Sequence, residues 1–400
     1  MRALIVIGRI NGGAPLSALQ YAESLKELNY EVDIIGTKFN EKIEELFLRE
    51  NLKIKHVPNL DKSLKKVNLV NINKFLNVLK KSIKKNKYNL ILSVGNGNLL
   101  HFSSLVANNF NCKFIGVIAG GSKEIVQGSQ YWITDNVICF SEENKIDIVN
   151  EGFDESKIRV ISNRISISND ENYVNHYKSL KNKQINFLLV SRLDKGKINS
   201  IISSINLIEW LNNNGINASL QIAGDGENFQ EICEVIEPIN SLGKKIITLK
   251  GHVKNLRPLF LESHFVMGKG RSVIEPVMMN RMGIVVGEDD NFSKINLSSF
   301  ENLKKFNFSG RNISIPINKS DFYNEINKLI NDPDSFLKNS VEIFEIVRNS
   351  YHSKYLTEKL ELILSELESK KVIHKKIYIT FLFKFYVHKL LKTIKNRGNK

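Results

Sequence analysis

Arg192 and Lys197 stand five residues apart in Ser191-Arg192-Leu193-Asp194-Lys195-Gly196-Lys197, after the apolar run 185–190 and before a helical pattern starting near Asn199. Two cations at a strand end and a helix mouth suit a diphosphate. Arginine grips phosphate oxygens bidentately, lysine adds a point charge, and the helix N-terminus supplies amides and dipole. A solvated basic loop would carry the same residues, so this element alone leaves both readings open. A second element, Gly268-Lys269-Gly270-Arg271-Ser272-Val273-Ile274-Glu275-Pro276, also follows an apolar run and opens a helix. Its glycines let backbone amides approach an anion closely. Glu275, expected in the first helical turn, either accepts both hydroxyls of a ribose or complements the helix dipole. Together the two elements point to a nucleotide diphosphate.

These residues need a scaffold, and the apolar pattern supplies one. Short apolar runs predict strands at 2–8, 31–36, 89–95, 113–120, 136–141 and 158–163, and again at 185–191, 219–224, 245–251, 264–268 and 282–287. Amphipathic segments fill the gaps, among them Pro15 to Leu28 and Asn73 to Lys85. Strands alternating with helices imply parallel sheets wound by crossovers. The chain of 400 residues suits two such domains. The expected organisation is a Rossmann-like domain over 1–165, a polar linker over 166–184 and a second Rossmann-like domain over 185–350. An acidic amphipathic helix over 351–369 is expected to pack back toward the first domain, followed by a basic tail over 370–400. Open parallel sheets bind ligands at their strand C-termini, so the site is expected in a cleft between the halves.

The net charge of +15 is unevenly placed. Lys53 to Lys87 holds eleven lysines against Asp61 alone, and Lys370 to Lys400 holds ten basic residues and no acid. The rest of the chain is net acidic, unlike a generally basic nucleic-acid binder, and no nucleic-acid recognition motif is present. Over Asn73 to Lys85, Phe75, Leu76, Leu79 and Ile83 share one helix face beside lysines 80, 81, 84 and 85. The tail interleaves aromatic and cationic residues, and its longest uncharged apolar run, Ile377 to Phe383, is too short to span a bilayer. An interfacial helix on anionic lipid is expected there; the 53–87 patch is either a membrane contact or a solvated face. Cys112, Cys139 and Cys233 are far apart, in neither metal-ligand nor redox spacing, which predicts a reducing compartment. The apolar run Ala3 to Ile7 is too short for a signal-peptide core.

Four segments resemble glycosyltransferase family 4, the retaining GT-B enzymes: SRLDKGK (191–197), IAGDGE (222–227), LKGHV (249–253) and GKGRSVIEPVMMNRMGIVV (268–286). The resemblance covers about residues 1 to 365 in layout. It implies the GT-B fold, with an acceptor-side N-terminal domain and a nucleotide-sugar-binding C-terminal domain. Arg192 and Lys197 fall on its diphosphate-binding positions, where they would stabilise the leaving group. Glu275 falls on the second glutamate of E-x7-E, used on the donor ribose. Gly268 and Gly270, with Arg271 and Ser272 beside them, fall on the turn whose amides face the phosphates and sugar. Gly251 and His252 resemble the loop lining the base, although His252 is equally an ordinary surface histidine. Gly12 and Gly13 resemble the glycine loop beside acceptor and donor phosphate, or else form a plain strand-to-helix turn.

The resemblance also has departures. Met267 stands where the first glutamate of E-x7-E normally contacts the donor sugar, so the sugar contacts differ or Arg271 takes them over. The loop Ile118-Ala119-Gly120-Gly121-Ser122-Lys123-Glu124 lacks the histidine that many members place near the reacting carbon. His101 is an alternative that core packing would explain as well, and no catalytic base is assigned. The family route needs none: in front-face attack the leaving phosphate accepts the acceptor's proton. Neither metal nor cofactor is expected. The activity implied is retaining transfer of a hexose or N-acetylhexosamine from a UDP-linked donor. The expected acceptor is a lipid-linked precursor of a surface polysaccharide such as capsule or lipopolysaccharide. The expected location is cytoplasmic, peripheral at the inner face of the cell membrane. A non-catalytic GT-B partner subunit remains an alternative, as does a nucleotide-sugar epimerase, which would call for acidic and histidine groups to shuttle protons.

Overall fold

The computed structural model describes the chain except residues 9–12, 37–44, 46, 50, 59, 61–68, 96, 122, 127–128, 130–131, 163, 168–183, 242–245, 288–289, 315–317 and 368–400. Gly12, most of the expected linker and the basic tail therefore lie outside the described residues. The chain divides into two compact units, Met1–Ile161 with Lys354–Lys400, and Ser162–Ser353.

The first unit carries β1 (Arg2–Ile7), α1 (Gly13–Glu27), β2 (Glu31–Gly36), β3 (Lys53–His56), α2 (Leu69–Asn86), β4 (Leu90–Val94), α3 (Gly97–Asn109), β5 (Lys113–Ile118), β6 (Asn136–Cys139), α4 (Glu142–Asn150) and β7 (Ile158–Val160). The sheet is parallel throughout, in the order β3-β2-β1-β4-β5-β6-β7. Both faces of its central strands are covered, which is why those strands read as nearly continuous apolar runs. Ala18, Ala22 and Leu25 of α1 join Ile5, Ile7, Leu92 and Val94 on one side. Phe75, Leu79 and Ile83 of α2, with Phe102 and Leu105 of α3, join Leu4, Val6 and Ile91 on the other. The apolar pattern does not predict β3, a short edge strand of sequence Lys-Ile-Lys-His. Charged residues are common on sheet edges because they discourage further strand pairing.

The second unit carries β8 (Ile185–Val190), α5 (Ile198–Asn213), β9 (Ala218–Ala223), α6 (Phe229–Ser241), β10 (Ile247–Gly251), α7 (Arg257–Glu262), β11 (Phe265–Gly268), α8 (Arg271–Met278), β12 (Met282–Val286), β13 (Phe292–Lys294), α9 (Phe300–Lys305), α10 (Lys319–Asn331) and α11 (Pro333–Tyr351). Its sheet runs β10-β9-β8-β11-β12-β13. The strands are parallel except β13, which pairs antiparallel with β12. A wholly parallel second sheet, as the sequence predicts, would need a crossover of a dozen or more residues after β12. The chain instead doubles back at once, the Gly287 amide donating to Asn291 O at 2.7 Å.

Both boundaries of the second unit differ from expectation for one reason. The first unit ends at Ile161 rather than 165, and the last helix among the described residues, α12 (Lys354–Glu366), starts three residues after 351. Ile165 pairs with His352 in a parallel bridge. The Ile165 amide donates to Tyr351 O at 2.8 Å, and the Ser353 amide donates to Ile165 O at 3.0 Å. Ile165 itself is wholly buried beside Val273, Ile274 and Val277, which fixes residues 164–165 to the second unit. Beyond the bridge, α12 returns to the first unit. Leu356, Leu360 and Ile363 join the core under α1, and Arg159 Nη2 meets Glu366 Oε2 at 2.8 Å.

Candidate functional site

The strand order of the second unit reverses between β8 and β11, so their connections leave toward opposite faces of the sheet. At such a point the loops at the strand C-termini part and leave a crevice. The two elements singled out in the sequence occupy that place. The 191–197 loop follows β8, and the Gly268-Lys269-Gly270 turn follows β11. Ser272 stitches them together, its Oγ lying 3.4 Å from Val190 O and accepting from the Lys269 amide at 3.2 Å.

The β8 loop is held by backbone contact. Leu193 N donates to Asp225 O at 3.0 Å, Asn228 N donates to Leu193 O at 3.0 Å, and Gly224 N reaches Gly251 O at 2.9 Å. Glycine is required at this approach. A Cβ on Gly224 would lie 1.7 Å from Ser191 O, and one on Gly226 would lie 2.6 Å from the Leu193 carbonyl. The loops after β8, β9 and β10 therefore form one braced rim, which carries Gly251, in the left-handed region at φ 66, and an exposed His252.

Arg192 projects from this rim, 61% exposed, with Nη1 2.7 Å from Asp194 Oδ2. An exposed pair of this kind contributes at most about 1 kcal/mol, so the guanidinium is readily redirected. Asp194 precedes the 3-10 turn Lys195–Lys197, yet its carboxylate does not cap that turn. Neither that turn nor α5 carries an acid in its first turn or a side-chain cap. The mouth of α5 thus carries the cations Arg192, Lys195 and Lys197 together with two carboxylates, Asp194 and Glu227, the latter accepting from the Lys195 amide at 3.3 Å.

The β11 turn is built differently from expectation. Gly270, at φ 61 and ψ −129, precedes α8, and its amide donates to Phe308 O at 2.7 Å. That amide and the one at Lys269 are thus engaged within the protein. The amides without an intrahelical carbonyl are those of Arg271 and Ser272, in the first turn of α8. Glu275 lies in the second helical turn rather than the first, because α8 begins at Arg271. Its Oε2 accepts from Arg271 Nε at 3.2 Å. Met267 is wholly buried among Phe187, Leu189, Phe265 and Ile284. It presents nothing to a ligand, so the position where the resemblance places a sugar-contacting glutamate is core here.

The sequence gives no sign of two participants. The Arg164 carbonyl accepts from Arg271 Nη1 at 3.3 Å across 107 residues, and the Phe308 carbonyl takes the Gly270 amide. Neither carbonyl has a side-chain signature, although Asn307 at positive φ is a residue type tolerant of that turn. In the first unit, Gly13 opens α1 and is exposed. His101 is 4% exposed inside α3, packed edge-on against Phe102. Burial pushes its imidazole down to about 4, so it is a neutral core residue. Among the described residues no group of three or more His, Cys, Asp or Glu could hold a metal ion.

No protein-family model and no curated protein matches the chain. Solved structures do. A glycosyltransferase from Rickettsia africae is 16% identical, with a TM-score of 0.67 over 92% of this chain and 99% of its own. Anabaena HepE in complex with UDP-glucose is 11% identical, with a TM-score of 0.64 over 92% and 100%. A UDP-GlcNAc 2-epimerase from Neisseria meningitidis, bound to UDP-GlcNAc, is 13% identical, with a TM-score of 0.58 over 92% and 100%. At these identities the likeness is one of fold: the chain has the GT-B fold of two α/β units.

Two outcomes follow from this geometry. Gly224→Ala is expected to cost about 3 kcal/mol or more, whereas Gly196→Ala, whose Cβ would meet nothing within 4 Å, shifts stability by less than about 1 kcal/mol. Urea unfolding of both variants checks this, and equal midpoints would refute the backbone-approach argument. For His101, the unfolded chain takes up a proton below its ordinary 6.5 while the folded chain resists until about 4. Stability therefore falls as pH drops through that window, by about 3 kcal/mol at its lower end. His101→Gln should flatten the slope; an unchanged pH profile would sink the assignment.

Proposed function

We propose that the chain is a glycosyltransferase moving a sugar from a nucleotide-sugar donor to a glycan acceptor. The observation carrying this reading is that the loop holding Arg192 and Lys197 follows β8 while the Glu275 helix follows the adjacent β11, at the reversal of strand order. In this reading Arg192 and Lys197 take the diphosphate and, with the Arg271 and Ser272 amides, stabilise the charge that develops on it as it leaves. Glu275 accepts the ribose hydroxyls, and the Gly251-His252 rim lines the base, with UDP as the expected nucleotide. Transfer is retaining: the departing phosphate accepts the acceptor's proton, so the protein's work is positioning and charge stabilisation. The sugar is a hexose or N-acetylhexosamine. Purified protein should release nucleoside diphosphate from a nucleotide sugar, faster with acceptor present. Arg192→Ala and Glu275→Ala should each weaken nucleoside diphosphate binding about 10- to 100-fold, the loss of one charged hydrogen bond. Wild-type affinity in both variants would place the site elsewhere.

An epimerase is the second reading, favoured by the shared fold of the Neisseria enzyme. It would return a new nucleotide sugar with no acceptor and no released diphosphate. Binding without any turnover would instead indicate a non-catalytic partner subunit.

The acceptor is proposed to be lipid-linked, with the chain docked peripherally on the inner face of the cell membrane. Support comes from α2, which buries Phe75, Leu79 and Ile83 and exposes Lys74, Lys81, Lys84 and Lys85. Among the described residues no helix is long and apolar enough to cross a membrane. Each lysine near an anionic surface is worth about 1 kcal/mol. Lys81→Gln/Lys84→Gln/Lys85→Gln should therefore weaken sedimentation with phosphatidylglycerol vesicles on the order of a hundredfold. Unchanged binding would leave α2 as a solvated face.

A further inference from the structure

Arg271 joins the candidate site to the chain entering the second unit. Its guanidinium is bound at two edges: Nε donates to Glu275 Oε2 at 3.2 Å, and Nη1 donates to Arg164 O at 3.3 Å. The side chains of Arg271 and Glu275 are 22% and 29% exposed, so neither is freely solvated. The Arg164 carbonyl is itself a fixed point. The Arg164 guanidinium donates to Ser350 O, and the next residue, Ile165, is wholly buried and bridged to His352.

An exposed pair four residues apart on a helix is held by a single contact, and both side chains keep most of their freedom. Here the second contact removes that freedom from the arginine, because the planar guanidinium fork is oriented by a rigid carbonyl before it meets the carboxylate. The carboxylate then has one defined place. Two of the faces through which Arg271 could grip a phosphate are already spent on protein oxygens. We infer that Arg271 is a positioning residue: it aims the Glu275 carboxylate at the ribose and takes its own bearing from the segment through which the chain enters the second unit. This rests on the reading of Glu275 as the ribose acceptor.

The test compares UDP with 2′,3′-dideoxy-UDP by calorimetric titration of the full chain, wild type and variants, each checked for unchanged melting temperature. Wild type should prefer the ribonucleotide by roughly 10- to 100-fold, as charged hydrogen bonds to the hydroxyls require. Glu275→Gln should remove most of that preference. Arg271→Ala should lower the preference at least about fivefold, with the loss falling on UDP and the dideoxy affinity unchanged. Arg271→Lys should recover part of it. In the Glu275→Gln background, Arg271→Ala should change the preference no further. Equal weakening of both ligands by Arg271→Ala would make Arg271 a phosphate ligand and overturn the inference, as would a full preference retained. If Glu275→Gln leaves the preference intact, or wild type binds neither ligand, the ribose reading falls and the inference with it. If only Arg271→Ala leaves it intact, the inference alone falls.

Discussion

Two neighbouring parallel strands whose crossovers leave toward opposite faces send their following loops apart beyond the strand ends. That constraint operates between β8 and β11, and the rest of the candidate site depends on it. The gap it opens is lined by whatever the two chains supply immediately after the strands. Here the supply is a cationic loop from β8 and a glycine turn with a helix start from β11. Of the charged side chains there, Arg192 stays exposed, while Arg271 and Glu275 are partly covered and satisfy each other.

Rigidity around the gap comes from the backbone rather than from large side chains. Gly224 and Gly226 bring the loop after β9 against the main chain of residues 191–193. The Phe308 carbonyl anchors the Gly270 amide. Side chains that face solvent, such as Arg192 and Lys195, are thereby mounted on a rim that does not move with them. A site so built can keep mobile cations, which adapt to an anion, on a fixed frame, which limits the ordering cost of binding.

Much of this was legible in the sequence because strands covered on both faces are largely apolar, as Ile185–Val190, Asn186 apart, and Met282–Val286 are. The helix mouths were legible for a related reason: Gly270 and Lys197 stand where an apolar run gives way to helical periodicity. What could not be read falls into two kinds. The edge strands Lys53–His56 and Phe292–Lys294 are short and partly charged, so hydrophobic periodicity is silent there. The contacts of Arg271 with Arg164 and of Gly270 with Phe308 run through main-chain carbonyls, which every residue possesses. Met267 is a third kind of case. An apolar residue on a strand fits the pattern well, and only its complete burial shows that the position belongs to the core.

The bridge between Ile165 and His352 has a topological meaning. Residues 162–353 form one continuous stretch whose two ends lie side by side, set within a first unit that is resumed only at Lys354. Such a piece has the geometry of an inserted domain. Its two ends lie close enough for a short loop to join them, so the unit is joined to its neighbour only through two adjacent strands of chain.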